Sequence, residues 1–166
     1  MLIVEDGTVV AGANSYQTLA EARTEAALSG ILLATDDTVA ETQLVQAFRY
    51  LTNNYESKVS GQRVSASQTS MLPRAFMYGN GFLISDDVIP DEFKRAQVMA
   101  AAVVNEGVDL NAYDSGGDLS GFSVDGVYSE TYQPGGTSPS VKMPAVEKTL
   151  SGFFDNVGTL SRGTYW

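Results

Sequence analysis

The chain of 166 residues contains neither cysteine nor histidine. Disulfide staples and Cys/His metal frameworks are therefore out of reach, and burial of apolar side chains is left to hold the fold together. Apolar residues make up 43% of the chain and charged residues 18%, an ordinary globular balance at the length of one domain. The same two absences exclude thiolate nucleophiles and Ser-His-Asp triads, and they remove the commonest acid–base group near neutral pH. No catalytic residue, metal ligand or cofactor is assigned, and the chain reads as a structural or binding protein, not an enzyme. No apolar run reaches the roughly 18 residues that mark a membrane span, so no membrane partner is expected. The opening Met1-Leu2-Ile3-Val4-Glu5-Asp6 lacks the basic and apolar regions of a secretory signal, which implies a cytoplasmic site of synthesis.

Helical periodicity organises most of the chain. Residues 3–14 are β-branched pieces punctuated by Gly7 and Gly12 and read as an extended arm. A first helix follows, with Asn14 or Ser15 as cap, Tyr16, Leu19, Ala20, Ala26 and Ala27 at helical spacing, and Gly30 as stop. Ile31-Leu32-Leu33 is an apolar connector expected to tuck into the core. A second helix is capped by Asp36 or Asp37 and carries Ala40, Leu44, Ala47, Phe48, Leu51 and Tyr55 along one face. Residues 56–70 lose all periodicity and fill with Ser, Gln and Gly, the pattern of a mobile loop; Tyr78-Gly79-Asn80-Gly81-Phe82 reads as a turn. A third helix opens at Ile89-Pro90-Asp91-Glu92, buries Phe93, Ala96, Ala100, Val103 and Val104, and stops at Gly107. Residues 122–132 alternate as a strand or hairpin, and 145–154 form a short fourth helix with Val146, Leu150 and Phe153 or Phe154 on one side. The fold predicted is mainly α: a small bundle of three to four helices with a β-hairpin or strand and extended N- and C-terminal arms. Its divisions are an arm over 1–14, a helical domain over 15–154 and a tail over 155–166.

Few residues suggest chemistry. The acidic pairs Asp36/Asp37, Asp86/Asp87 and Asp91/Glu92 lie at helix starts, where capping and the macrodipole account for them. Asp109, Asn111, Asp114, Asp118 and Asp125 miss the EF-hand spacing, and no phosphate-cradling glycine loop occurs. Ten basic against twenty acidic residues give a net charge of −10, which opposes non-specific binding to phosphates. Arg49, Lys58, Arg63 and Arg74 nevertheless form a locally basic stretch, with Glu56 alone against them. Phe48, Tyr50 and Tyr55 beside them could stack on single-stranded DNA, although Phe48 and Tyr55 fall on the core stripe of the second helix. The final residues carry Tyr165 and Trp166, large side chains that an unstructured end usually avoids exposing.

The opening Ile3-Val4-Glu5-Asp6-Gly7-Thr8, with Ala11-Gly12-Ala13-Asn14-Ser15-Tyr16 and Leu19-Ala20-Glu21-Ala22, resembles a family of tailed-phage proteins encoded near portal and capsid genes. Ala47-Phe48-Arg49-Tyr50-Leu51 and Tyr55 look like that family's second helix. Leu72-Pro73-Arg74 is similar to its usual Trp-Pro-Arg, with Leu72 departing from the pattern, and Ile89-Pro90 with Lys94, Ala96 and Gln97 matches its third helix. Proteins of this kind are often labelled DnaT-like single-stranded-DNA binders. The resemblance implies a head-to-tail adaptor of the virion, assembled as a homo-oligomeric, twelve-fold ring on the portal protein and followed by a further tail or stopper protein. DNA would then pass through an acidic lumen without specific binding, the protein sitting at the head–tail junction after assembly in the host cytoplasm. Leu160, Arg162, Tyr165 and Trp166 of the tail are the expected portal contacts. The alternative is a single-stranded-DNA-binding protein of phage replication that uses Arg49, Lys58, Arg63 and Arg74.

Overall fold

A computed structural model describes residues 1–110, 123–124, 128–129 and 141–155. Four helices appear in chain order: α1 (Leu19–Ser29), α2 (Asp37–Tyr55), α3 (Asp91–Asn105) and α4 (Pro144–Leu150), the last continuing into a 3-10 turn over Ser151–Phe153. Three two-stranded antiparallel ribbons accompany them: β1 (Gln62–Arg63) with β2 (Arg74–Ala75), β3 (Tyr78–Gly79) with β4 (Phe82–Leu83), and β5 (Ser123–Val124) with β6 (Tyr128–Ser129). The mainly helical fold with a hairpin near 122–132 is therefore present; the turn joining β5 to β6 lies outside the described residues.

The helices start and stop for identifiable reasons. Thr18 caps α1, its hydroxyl accepting from the Glu21 amide while the Glu21 carboxylate accepts from the Thr18 amide at 2.7 Å. This reciprocal box places the start three or four residues later than Asn14 or Ser15. Gly30 ends α1 in the left-handed conformation, at φ 67°. The Asp36 carboxylate accepts from the Val39 amide at 2.9 Å and caps α2. Pro90 is the residue before α3, where its missing N–H costs no helical bond, and Asp91 and Glu92 occupy the first turn.

Helix α3 is the centre of the packing, in contact with α1, α2 and α4. Its Ala96, Ala100 and Ala101 are fully buried, and such small side chains let neighbouring backbones approach closely. The whole α2 stripe is buried as predicted, from Ala40 through Leu44, Ala47, Phe48 and Leu51 to Tyr55. Tyr16, Phe48, Phe93 and Phe153 form a run of ring contacts through the middle, with centroids 4.8 Å apart for Tyr16–Phe48 and 5.2 Å for Phe93–Phe153. Val146 and Leu150 close the core from α4.

Two segments are more ordered than their sequence suggests. Residues 3–14 carry no helix, but they close on themselves around the buried Glu5 carboxylate, which accepts from the amides of Gly7, Val9 and Val10, each at 3.0 Å. The Ile3 carbonyl also accepts from the Asn14 amide at 2.9 Å, fastening the loop at its base. Residues 56–70, expected as a mobile loop, are pinned by the buried Gln68. Its amide nitrogen donates to the carbonyls of Ser70 and Pro73 at 2.9 and 3.0 Å, and its oxygen accepts from the Ser65 amide at 3.1 Å. One apolar expectation also fails: Ile31 and Leu33 pack partly against the core, but Leu32 between them is 76% exposed.

Gln97 of α3 is the main polar link between segments. Its fully buried side-chain oxygen accepts from the Tyr16 amide at 3.0 Å, and its nitrogen donates to Ser15 Oγ at 3.0 Å and to the Leu44 carbonyl at 2.9 Å. Replacing it with leucine strands those partners inside the core. Gln97→Leu is therefore expected to lower the unfolding free energy by about 2–4 kcal/mol, measured by urea titration. A loss below about 1 kcal/mol would contradict this role.

Candidate nucleic-acid interface

The four cations of the basic stretch have different tasks. Arg74, on β2, is buried, and its guanidinium donates to the carbonyls of Ser60 at 2.9 Å, Gly61 at 2.7 Å and Met71 at 3.5 Å. Burial lowers its pKa, while the nearby Glu56 charge works in the opposite direction. Arg63 lies opposite Arg74 in the β1–β2 register. Its guanidinium makes a two-pronged contact with the Glu56 carboxylate, 2.8 Å on one side, and donates to the Gln68 carbonyl at 2.8 Å. The Glu56 hydrogen bond raises the Arg63 pKa. Both arginines therefore serve chiefly to hold residues 56–75 in place. Arg49 and Lys58 are exposed. The Lys58 ammonium lies 3.1 Å from Glu147 and 5.1 Å above the Tyr55 ring, which itself stacks on Phe154 with an interplanar angle of 8°.

The rings beside these cations are also not those expected. Phe48, Tyr50 and Tyr55 are buried, so none presents a free face to a base. Exposed rings occur instead at Phe76 (69%), Tyr78 (53%) and Phe82 (75%), within and around the β3–β4 hairpin. This ribbon is well fixed. Asn80 and Gly81 both have positive φ, at 51° and 87°, as a two-residue type I′ turn requires. A Cβ on Gly79 would stand 2.4 Å from the Phe153 ring, so only glycine lets the hairpin lie against the core. The Ser60 hydroxyl accepts from the Tyr78 amide at 2.9 Å and donates to its carbonyl at 3.1 Å. Phe76 sits at φ 57°, a left-handed conformation that is costly for a bulky side chain, while the next residue, Met77, is fully buried. Sequence periodicity marked 78–82 as a turn and missed the rings; the available signal was two aromatics flanking Asn80-Gly81.

Charge distribution favours the same surface. The chain carries −10 in total, yet no aspartate or glutamate occurs between Glu56 and Asp86. Elsewhere the acidic pairs have structural partners: Asp36 caps α2, Asp37 pairs with Arg23 at 2.7 Å, Asp91 pairs with Lys94 at 3.0 Å, and Asp87 accepts from Ser85. No group of three or more acidic residues is placed to hold a metal ion among the described residues. Leu160, Arg162, Tyr165 and Trp166 lie outside the described residues, as does most of the acidic segment from Asn111 to Asp125. The division of labour among the cations has a direct test. Arg74→Ala is expected to lower the unfolding free energy by about 2–4 kcal/mol, because buried carbonyls lose a charged donor. Arg49→Ala should change it by less than about 0.5 kcal/mol in the same urea titration; equal effects would refute the assignment.

Residues 1–164 match the family described as "Putative DnaT-like ssDNA binding protein". No curated protein and no solved structure matches the chain. The family match overturns the expected virion role: the adaptor, its twelve-fold ring, the portal and tail-side partners, and the passage of DNA without specific binding. The description names single-stranded DNA, the reading set second above. Physically, the net charge of −10 does not oppose the ligand along the whole chain, because residues 57–85 carry no acid at all. The chain belongs to the DnaT-like single-stranded-DNA-binding protein family.

Proposed function

We infer that this protein binds single-stranded DNA, stacking bases on Phe76, Tyr78 and Phe82 while nearby cations face the backbone. The carrying observation is the coincidence of three exposed rings with the acid-free stretch of an otherwise acidic chain. Stacking on a protein ring tolerates any base, because every base has a π-face, and it contributes about 1–3 kcal/mol per base. The description of the family supports the same ligand.

Magnitudes decide which force dominates. With Arg74 buried and Arg63 paired to Glu56, few cations remain for phosphates, so counterion release contributes modestly. Repulsion between exposed charges is screened over about 8–10 Å at physiological salt, whereas ring contacts act at van der Waals distance. Stacking is therefore the principal term, with electrostatics setting orientation. Catalysis is no part of this reading; the chain acts by holding the strand.

The test uses fluorescence anisotropy of a labelled oligothymidine. Phe82→Ala and Tyr78→Ala are each expected to weaken binding about tenfold or more with folding unchanged, since both side chains are exposed. Affinities that stay at the wild-type value in both variants would remove the ring surface from the account.

A further inference from the structure

A cleft of about 280 Å³ opens between the end of α2 and the start of α4, lined among others by Tyr50, Asn54, Tyr55, Lys58, Lys142 and Glu147. It is close to the ribbon through the backbone. Residues 58–60 run beside 153–155, with the Ser60 amide donating to the Phe153 carbonyl at 2.8 Å and the Asp155 amide to the Lys58 carbonyl at 2.8 Å. Ser60 in turn holds Tyr78. The same short run of backbone, residues 58–60, thus joins a wall of the cleft to the residue that holds the ribbon.

The cleft wall is tied together by the fold, and both cations on it are exposed. The Tyr50 hydroxyl donates to the Val141 carbonyl at 2.7 Å, tying α2 to the segment that enters α4. Tyr55 packs edge-on against Tyr50, with centroids 6.1 Å apart, and stacks on Phe154 at 5.9 Å. Burial pushes the Tyr55 hydroxyl above the ordinary phenol range, so it stays neutral and adds no negative charge. Lys142 is exposed and has no ion pair among the described residues. Among the described residues Lys58 has one anionic partner, the half-exposed Glu147. The lining thus holds two ammonium groups against one carboxylate, in a chain where acids outnumber bases two to one.

The geometry points to this cleft as the seat of one phosphodiester of the bound strand, gripped by Lys58 and Lys142, with Glu147 as the competing anion that occupies Lys58 until the strand arrives. The inference rests on single-stranded-DNA binding as the function. An exposed ion pair contributes little to stability, so exchanging carboxylate for phosphate on Lys58 costs little. The Tyr55 and Phe154 rings beneath keep the ammonium in position through the exchange. Glu147 then acts as a brake: it lowers affinity for any anion and disfavours weak contacts.

Oligothymidine titrations of the full chain at several salt concentrations test this. Lys142→Ala should weaken binding about three- to tenfold at low salt and make the log–log salt slope shallower by about 0.7, the value of one phosphate contact on a single strand. Glu147→Gln should do the reverse, tightening binding about three- to tenfold, because it removes the competing anion and leaves both lysines to the phosphate. Both side chains are exposed, and an unchanged urea midpoint verifies that folding is intact. If the wild type binds and loses affinity in Phe82→Ala while both cleft variants match it, the cleft assignment is wrong and the ring surface stands. If the wild type fails to bind at low salt, both fall together.

Discussion

A single buried amide determines how the helices can sit. Gln97 occupies the middle of α3, fully enclosed, and its partners come from the end of the N-terminal segment and from α2. A carboxamide without partners in that place would cost several kcal/mol. The arrangement is therefore stable only when Ser15, Tyr16 and Leu44 arrive together. Tyr16 brings its ring against Phe48 and Phe93, so satisfying the amide also sets the aromatic core. Burial likewise holds the Tyr16 phenol well above its ordinary range, and its oxygen accepts from the Ser70 hydroxyl at 3.1 Å. That bond carries the constraint onward to the segment bearing the ribbons.

From Ser70 the same logic continues outward. Buried polar side chains, not an apolar stripe, shape residues 56–83: Gln68 folds the loop, Arg74 gathers three carbonyls, and Ser60 clasps Tyr78. Because side chains within this segment supply these bonds, the exposed rings at Phe76, Tyr78 and Phe82 rest on a fixed base. Rings that are held before the ligand arrives lose little conformational freedom on binding. A pre-set stacking surface and a short list of available cations fit a protein that grips bases more than phosphates.

How much of this could be read from residues depends on what holds each part. The stripes of α2 and α3 repeat every three to four residues because one face is buried, and that period survives in the sequence. Gly30, Gly107 and Asp36 were legible for local reasons of backbone and capping. Thr18 with Glu21 also spelled a capping box, although Asn14 and Ser15 competed as simpler candidates. The 56–83 region and the Glu5 loop were opaque, since side-chain-to-backbone bonds leave no period and two-residue strands are too short to alternate. At the candidate site, the sequence placed Arg49, Lys58, Arg63 and Arg74 together as cations, but it held no sign that Arg74 is buried and Arg63 paired with Glu56. Net charge also misled: an average of −10 was given more weight than the locally basic stretch, although residues 57–85 hold no acid.

The central claim is that an acidic protein holds single-stranded DNA mainly through rings. Anisotropy of the wild type with an oligothymidine and with a duplex of equal length, across a salt series, tests it most directly. The account predicts preference for the single strand and a shallow log–log salt slope of about −1.4 to −2.1, the value for two or three phosphate contacts. Absence of binding at low salt, or equal binding of duplex with a steep slope, would contradict it.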